Sequence, residues 1–344
     1  IANLVALLLV INWHHFIRIF GKSTVYLTTL AVKGGIILLL SILSVNHFSA
    51  WVLAMYMILT VLMWMDLDIL LETCSVDKKT GAIRGIYMTI VSAGYLASPF
   101  FVGILVSRYG FQAAFTVSFI VIFIAFLISA LKLRNIDHYR PKKIKISKLI
   151  SKVWKRKNIL RAYYISFLME FFYALMVIYT PLYLLDLGFS WADIGKIFTV
   201  MLVPFVITTY PGGILVDKYI EERDLIKIAI VITALSTITI FFVSSKSLFV
   251  WALVLFFTRI GASLIDIAKE SYFYKRIDCQ DVDIIDFFRT VRPIAYAVGP
   301  LITTPIVLFL GIKFVFPMIG IVVLTGIFAA KNMASSRVPP QTKR

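Results

Sequence analysis

Two acids four residues apart, Asp68 and Glu72, close one apolar run, and a second such pair, Asp266 and Glu270, closes another much further along the chain. At helical spacing each pair lies on one face. Basic residues open the run that follows each pair: Arg84 after the first, Arg289 and Arg292 after the second. Acids and bases at helix ends can form ion pairs that make and break. One reading is a gate in which Asp68 and Glu72 meet Arg289 or Arg292 while Asp266 and Glu270 meet Arg84. The other is a set of interfacial charges bathed by water and lipid headgroups. Two charges lie deeper. Glu170 is about eight residues into its apolar run, roughly 12 Å along a helix, and Arg259 is near the middle of another. Ionisable groups at such depth are costly and need partners or a function. A carboxyl group there can carry a proton, whereas an arginine keeps its charge and suits an anionic group or an acid partner. Pairing of Glu170 with Arg259 or with backbone is equally open. Tyr173 and Tyr179, in the stretch YALMVIYTPLY that contains Pro181, offer an aromatic lining for an amphipathic organic solute. Lys33 is placed to face Asp66 as a structural pair.

Other chemistries are poorly supplied. His14, His15, His47 and His138 show no metal-ligand spacing, so no metal and no cofactor is expected. Cys74 and Cys279 fall in loops expected on the cytoplasmic side, where a disulfide is not expected. The phosphate-cradling pattern Gly-x-x-x-x-Gly-Lys-Ser/Thr is absent, which argues against an ATP-driven pump. A membrane-embedded acyltransferase would need a histidine or cysteine at membrane depth, and these residues sit in or near loops. The chain is not expected to be an enzyme.

The elements that position these groups are set by composition. Of 344 residues 60% are hydrophobic and 15% charged, and the mean hydropathy is +0.91, far from a soluble domain. Apolar runs long enough to cross a hydrocarbon core recur over 1–16, 25–45, 51–71, 85–106, 112–133, 162–185, 191–215, 226–243, 248–267, 287–310 and 314–330. None alternates as a barrel strand does, so the expectation is an all-α polytopic membrane protein of about eleven helices. The net charge of +17 does not mark a nucleic-acid binder, because the basic residues occupy alternate loops. The richer set holds Arg18 and Lys22, then Lys78, Lys79 and Arg84, the tract from Lys132 to Arg161, Lys218, Arg223 and Lys227, Lys269, Lys275 and Arg276, and the tail. By the positive-inside rule that set is cytoplasmic, as expected for a cell membrane protein.

The long connection over 134–158 divides a first bundle, 1–133, from a second, 159–333, with a cytoplasmic tail over 334–344. Within it IKISKLISKVWK sets Ile146, Leu149, Ile150, Val153 and Trp154 at helical spacing with lysines elsewhere. This predicts an amphipathic helix on an anionic lipid surface, with a solvated linker as the plainer alternative. The halves repeat. Asp68-Ile-Leu-Leu-Glu72 matches Asp266-Ile-Ala-Lys-Glu270, and Tyr95-Leu-Ala-Ser-Pro99 matches Tyr296-Ala-Val-Gly-Pro300. If each half has six helices, the first lacks its opening one, and the sequence reads as a fragment.

Two six-helix halves joined by a basic loop resemble the major facilitator superfamily. Gly213-Ile-Leu-Val-Asp217-Lys218 is similar to the family's Gly-x-x-x-Asp-Arg/Lys loop motif, while Arg18-Ile-Phe-Gly21-Lys22 keeps the glycine and bases without the aspartate. Gly85, Gly94, Ser98, Pro99 and Gly103 resemble the antiporter motif of the family's fifth helix, with Ser98 and Val102 where glycines are usual. Small residues on one stripe let a neighbouring helix approach and rock, or simply pack it statically, and Pro99 permits a bend. The resemblance implies a secondary transporter that moves a small organic solute by alternating access, with the helix-five pattern leaning toward proton antiport and export. A proton-coupled importer and a non-transporting sensor or assembly protein are the alternatives. A monomer is expected.

Overall fold

The computed structural model describes residues 19–44, 46–74, 80–133, 152–277 and 282–335, with isolated positions Val5, Leu9, Trp13, Phe16 and Ile17 before them. In hydrocarbon every backbone amide must find its partner within the chain, and long apolar runs do so as helices. The helices are α1 (Lys22–Ile42), α2 (His47–Cys74), α3 (Thr80–Lys132), α4 (Lys157–Asp186), α5 (Trp191–Ile214), α6 (Glu222–Thr239), α7 (Leu248–Tyr274), α8 (Val282–Arg289), α9 (Val291–Leu310), α10 (Val315–Leu324) and α11 (Gly326–Asn332).

Among the described residues nine helical segments are long and apolar enough to cross a membrane. One of them, Ala93–Lys132, has 40 residues, about 60 Å of helix and twice a ~30 Å hydrocarbon core. Gly110 breaks it, with φ 78° and ψ 178°, a conformation that an L side chain resists. This single segment therefore supplies the two spans expected over 85–106 and 112–133. The run over 1–16 lies outside the described residues, apart from the isolated positions.

The chain forms two compact units, 1–143 and 144–344, and the division falls inside the basic connection. In the first unit α1 packs on both α2 and α3. Tyr26, Leu30 and Leu70 form its core, flanked by Ile122 and Phe126. Lys33 and Asp66 are both buried here, but they do not form the expected pair. Asp66 accepts a 2.7 Å hydrogen bond from the Trp13 indole. The Lys33 ammonium lies 3.7 Å from the Met63 sulfur and 5.1 Å from the centre of the Tyr56 ring. A ring face and a soft sulfur thus take the place of the carboxylate.

In the second unit α6 is held between α7 on one side and α10 with α11 on another. A Cβ at Gly261 of α7 would lie 2.7 Å from the Ala229 carbonyl oxygen, and one at Gly320 of α10 would lie 2.9 Å from that of Ala234. Small residues are what let these backbones meet, as is usual where apolar burial cannot drive helices together. Phe171, Phe172, Trp251, Tyr272, Phe273 and Phe316 fill the remaining interior and are fully buried. Some hydroxyls in this interior return to their own helix, as Thr233 does to the Ala229 carbonyl and Thr237 to that of Thr233, and others cross, as between Thr208 and Ser263. One end is tied by Glu222, wholly buried at the start of α6, which receives Lys275 at 2.6 Å and Ser271 at 3.3 Å. The outer faces are apolar instead, with Phe242, Phe249, Phe309 and Phe328 all more than 70% exposed, as suits contact with lipid.

The expected amphipathic segment of the connection is described only from 152 onward, where 152–155 is helical; Ile146, Leu149 and Ile150 lie outside the described residues. Val153 is wholly buried in the core of the second unit, whereas Trp154 is 70% exposed. Val153 therefore does not share an outward apolar face with Trp154, because the start of the second bundle folds over it.

The glycine contacts make a prediction. Gly261→Ala should destabilise the detergent-solubilised protein by about 1–3 kcal/mol, the usual range for overpacking. Gly35→Ala, in α1 where an added Cβ meets nothing within 4 Å, should be neutral or stabilising by up to about 1 kcal/mol through helix propensity. Thermal unfolding of the two variants side by side checks the contrast.

Candidate functional site

Most of the deep polar residues singled out in the sequence meet on three helices of the second unit. α4 packs on both α7 and α9, so one stripe of α4 faces residues from each. Glu170 and Tyr173 are three apart on α4 and share that stripe. Arg259, Asp266 and Lys269 stand on α7, and Arg292 and Tyr296 on the first turns of α9.

Tyr173 joins the parts. Its hydroxyl donates a 2.5 Å hydrogen bond to Asp266 Oδ2. Its ring lies 5.3 Å from the Arg259 guanidinium carbon, and the Phe172 ring lies 5.1 Å from the same atom. Asp266 Oδ1 is 2.7 Å from the ammonium of Lys269, whose side chain is 5% exposed. The pair is tight because both residues stand on one helix face, three positions apart. Glu170 is held more loosely. Its Oε2 is 3.8 Å from Arg292 Nε, and the Arg292 side chain is 55% exposed. Arg292 also stacks over Tyr296, 5.6 Å from the ring centre. The charges of Lys269 and Asp266 act on Glu170 as well.

Glu170 thus faces Arg292, not Arg259, because the first turn of α9 brings a base to it. Arg259 is 2% exposed, and among the described residues its Nε and Nη1 atoms have no hydrogen-bond partner. Tyr179 is buried in the apolar core, two turns beyond Tyr173, and takes no part in the charged cluster. Glu270 is exposed at the end of the acidic pair, and Arg289 is exposed at the end of α8.

The backbones of Asp68 and Glu72 belong to α2 and those of Arg84 and Gly85 to α3, but their side chains lie outside the described residues. Asp217 falls in a π-helical turn, Leu215–Tyr219, closed by the Ile220 amide on the Leu215 carbonyl at 2.8 Å, and its side chain is likewise outside the description. Such turns are rare and often mark functional positions. Along α3, Gly94 and Ser98 are exposed and Gly103 is buried, with Pro99 inside the helix. An added Cβ at Gly94 would meet nothing within 4 Å.

Three participants were missed from the sequence. Lys269 was legible, since it stands three residues after Asp266 on a predicted helix. Tyr296 stands out in the sequence only as part of the internal repeat. Phe172 carried no signal among so many aromatic residues.

Comparison with known proteins adds one result. A family model described as Major Facilitator Superfamily matches residues 1–268, a stretch that takes in Glu170, Tyr173, Arg259 and Asp266. No curated protein matches the chain.

The Asp266–Lys269 pair gives a stability test. Asp266→Asn leaves a buried ammonium without its counter-charge and should cost about 2–3 kcal/mol, somewhat below the range for a wholly buried pair because Asp266 keeps some exposure. The double variant Asp266→Leu with Lys269→Met should recover most of that loss. Thermal unfolding in detergent checks this, and additive losses would contradict the pairing.

Proposed function

The chain belongs to the Major Facilitator Superfamily, and from that premise we propose that this membrane transporter moves a small organic solute by proton-coupled alternating access. The observation that carries the coupling is the contrast between two acids in one cluster. Asp266 is fixed by a 2.7 Å contact to Lys269 and by Tyr173. Glu170 has a longer contact, 3.8 Å to the half-exposed Arg292, and feels the charge of Lys269 without a close contact to it among the described residues. A pair that loose can open when the carboxylate takes a proton, and its opening would free α9 relative to α4.

The glycine, serine and proline pattern of α3 favours export by antiport. Support for its role as a sliding face comes from the open surroundings of Gly94. In this account Asp68, Glu72, Arg84, Asp217, Asp266, Glu270, Arg289 and Arg292 form the set of gate charges at the cytoplasmic ends, with Asp266 its fixed point. The two bundles, joined through a basic connection that lies against anionic lipid, rock as units in a monomer of the cell membrane. Buried Arg259, whose Nε and Nη1 have no hydrogen-bond partner among the described residues, favours a second reading, symport of an anion with a proton, since a bound anion draws a proton toward a neighbouring acid.

Proton movement in proteoliposomes loaded with a pH-sensitive dye tests both readings. An outward gradient of a carried solute should acidify the external side under symport and draw protons inward under antiport. Glu170→Gln should lower the coupled proton flux by about a hundredfold, the scale on which a proton-transfer group acts. An unchanged pH dependence in that variant would remove Glu170 from the pathway.

A further inference from the structure

Arg259 lies near the middle of α7, about 16 Å from its start at 1.5 Å per residue. It is 2% exposed, and its Nε and Nη1 carry three of the five guanidinium hydrogens without an acceptor among the described residues. Other arginines of this unit reach oxygen through at least one guanidinium nitrogen, although Arg223 Nε and Arg276 Nε also lack a well-aligned hydrogen-bond partner among the described residues. Arg276 donates to the carbonyls of Ala334 and Ser335, Arg223 meets Glu221 at 2.8 Å, and Arg161 reaches Asn158. The acid that faces Arg259 electrostatically, Asp266, is two helical turns away and already engaged by Lys269 and Tyr173. The guanidinium carbon lies over the rings of Phe172 and Tyr173, 5.1 and 5.3 Å from their centres. The rings supply no oxygen to Nε and Nη1, whose hydrogens match a carboxylate in fork geometry. Phe205 stands 6.1 Å from Tyr173, centre to centre, and adds apolar surface beside it.

We infer that Arg259 is the binding site for the carboxylate of an organic anion, whose apolar body rests against the partly exposed rings of Tyr173 and Phe205 while buried Phe172 backs the guanidinium. As the substrate site of a transporter it rests on the function proposed above, but binding itself does not require flux. The solute then supplies the oxygen atoms that the protein withholds from Arg259, and Tyr173 links the bound anion to Asp266 through a single ring and hydroxyl.

The test is thermal stabilisation of the detergent-solubilised full chain, with no gradient present. Benzoate and phenylacetate at roughly millimolar concentration should raise the unfolding temperature, while benzamide and phenylacetamide should not. Arg259→Lys should weaken the carboxylate effect about tenfold, since an ammonium is a point charge in place of a fork. Arg259→Gln should abolish it; if that variant does not fold, the wild-type contrast between acid and amide and the lysine variant decide the matter. Equal stabilisation by acid and amide, no stabilisation by either carboxylate, or stabilisation by inorganic phosphate alone would each overturn the inference. Retained carboxylate binding in Arg259→Gln would overturn it too. Carboxylate binding without flux would remove the transport reading and leave this site standing. Flux of uncharged solutes, undiminished in Arg259→Gln, would do the reverse.

Discussion

A charge placed in hydrocarbon has to bring its own solvation, and the interior of the second unit is arranged around meeting that demand on α7. Lys269 is nearly inaccessible and sits 2.7 Å from Asp266. The second oxygen of Asp266 takes the Tyr173 hydroxyl. The Tyr173 ring in turn lies beside Arg259. Each group stabilises the next, so the cluster is held as a connected set across α4 and α7. Breaking one link leaves a buried charge exposed to a low-dielectric surrounding, where uncompensated charge is most costly. Arg292 and Glu170, at the edge of the same set, are joined with less force and are the natural place for it to yield.

The surrounding helices suit that division between fixed and yielding parts. α6 meets its neighbours backbone to backbone through Gly261 and Gly320, and Glu222 ties its start to the end of α7. These contacts leave little room for relative movement between α6 and α7. α9 is built differently. Two prolines, Pro300 and Pro305, interrupt its amide ladder, and a break at Thr290 separates it from α8. A helix with missing amide donors bends at lower cost than an unbroken one. Arg292, whose contact with Glu170 is 3.8 Å, stands in the first turn of α9.

Much of this was legible in residue order. The apolar runs, the alternation of basic loops and the repeated Asp-to-Glu pairs all point to a duplicated helical membrane protein, because hydrophobic length and loop charge act locally. The depth of Glu170 and Arg259 was also legible, as helical rise converts residue count to distance. Partner choice was not. Lys33 and Asp66 have complementary charges and similar depth, yet Trp13 takes the carboxylate and Lys33 settles among Met63 and Tyr56. Glu170 faces Arg292, a residue far along the chain, because helix rotation and tilt decide which bases come within reach. Val153 likewise fits an amphipathic pattern but is covered by the second bundle. Periodicity gives the face a residue occupies on its own helix and leaves open what packs against that face.

The central claim is that this cluster ties solute occupancy to a proton on Glu170. Its most direct measurement is a proton count on binding, made by adding a carried solute to the detergent-solubilised protein in weakly buffered solution with a pH indicator. The account predicts that the wild-type protein exchanges protons with the solution as the site fills, and that Glu170→Gln binds the solute without exchanging them. Binding with no proton exchange in the wild type, or an undiminished exchange in the variant, would contradict it.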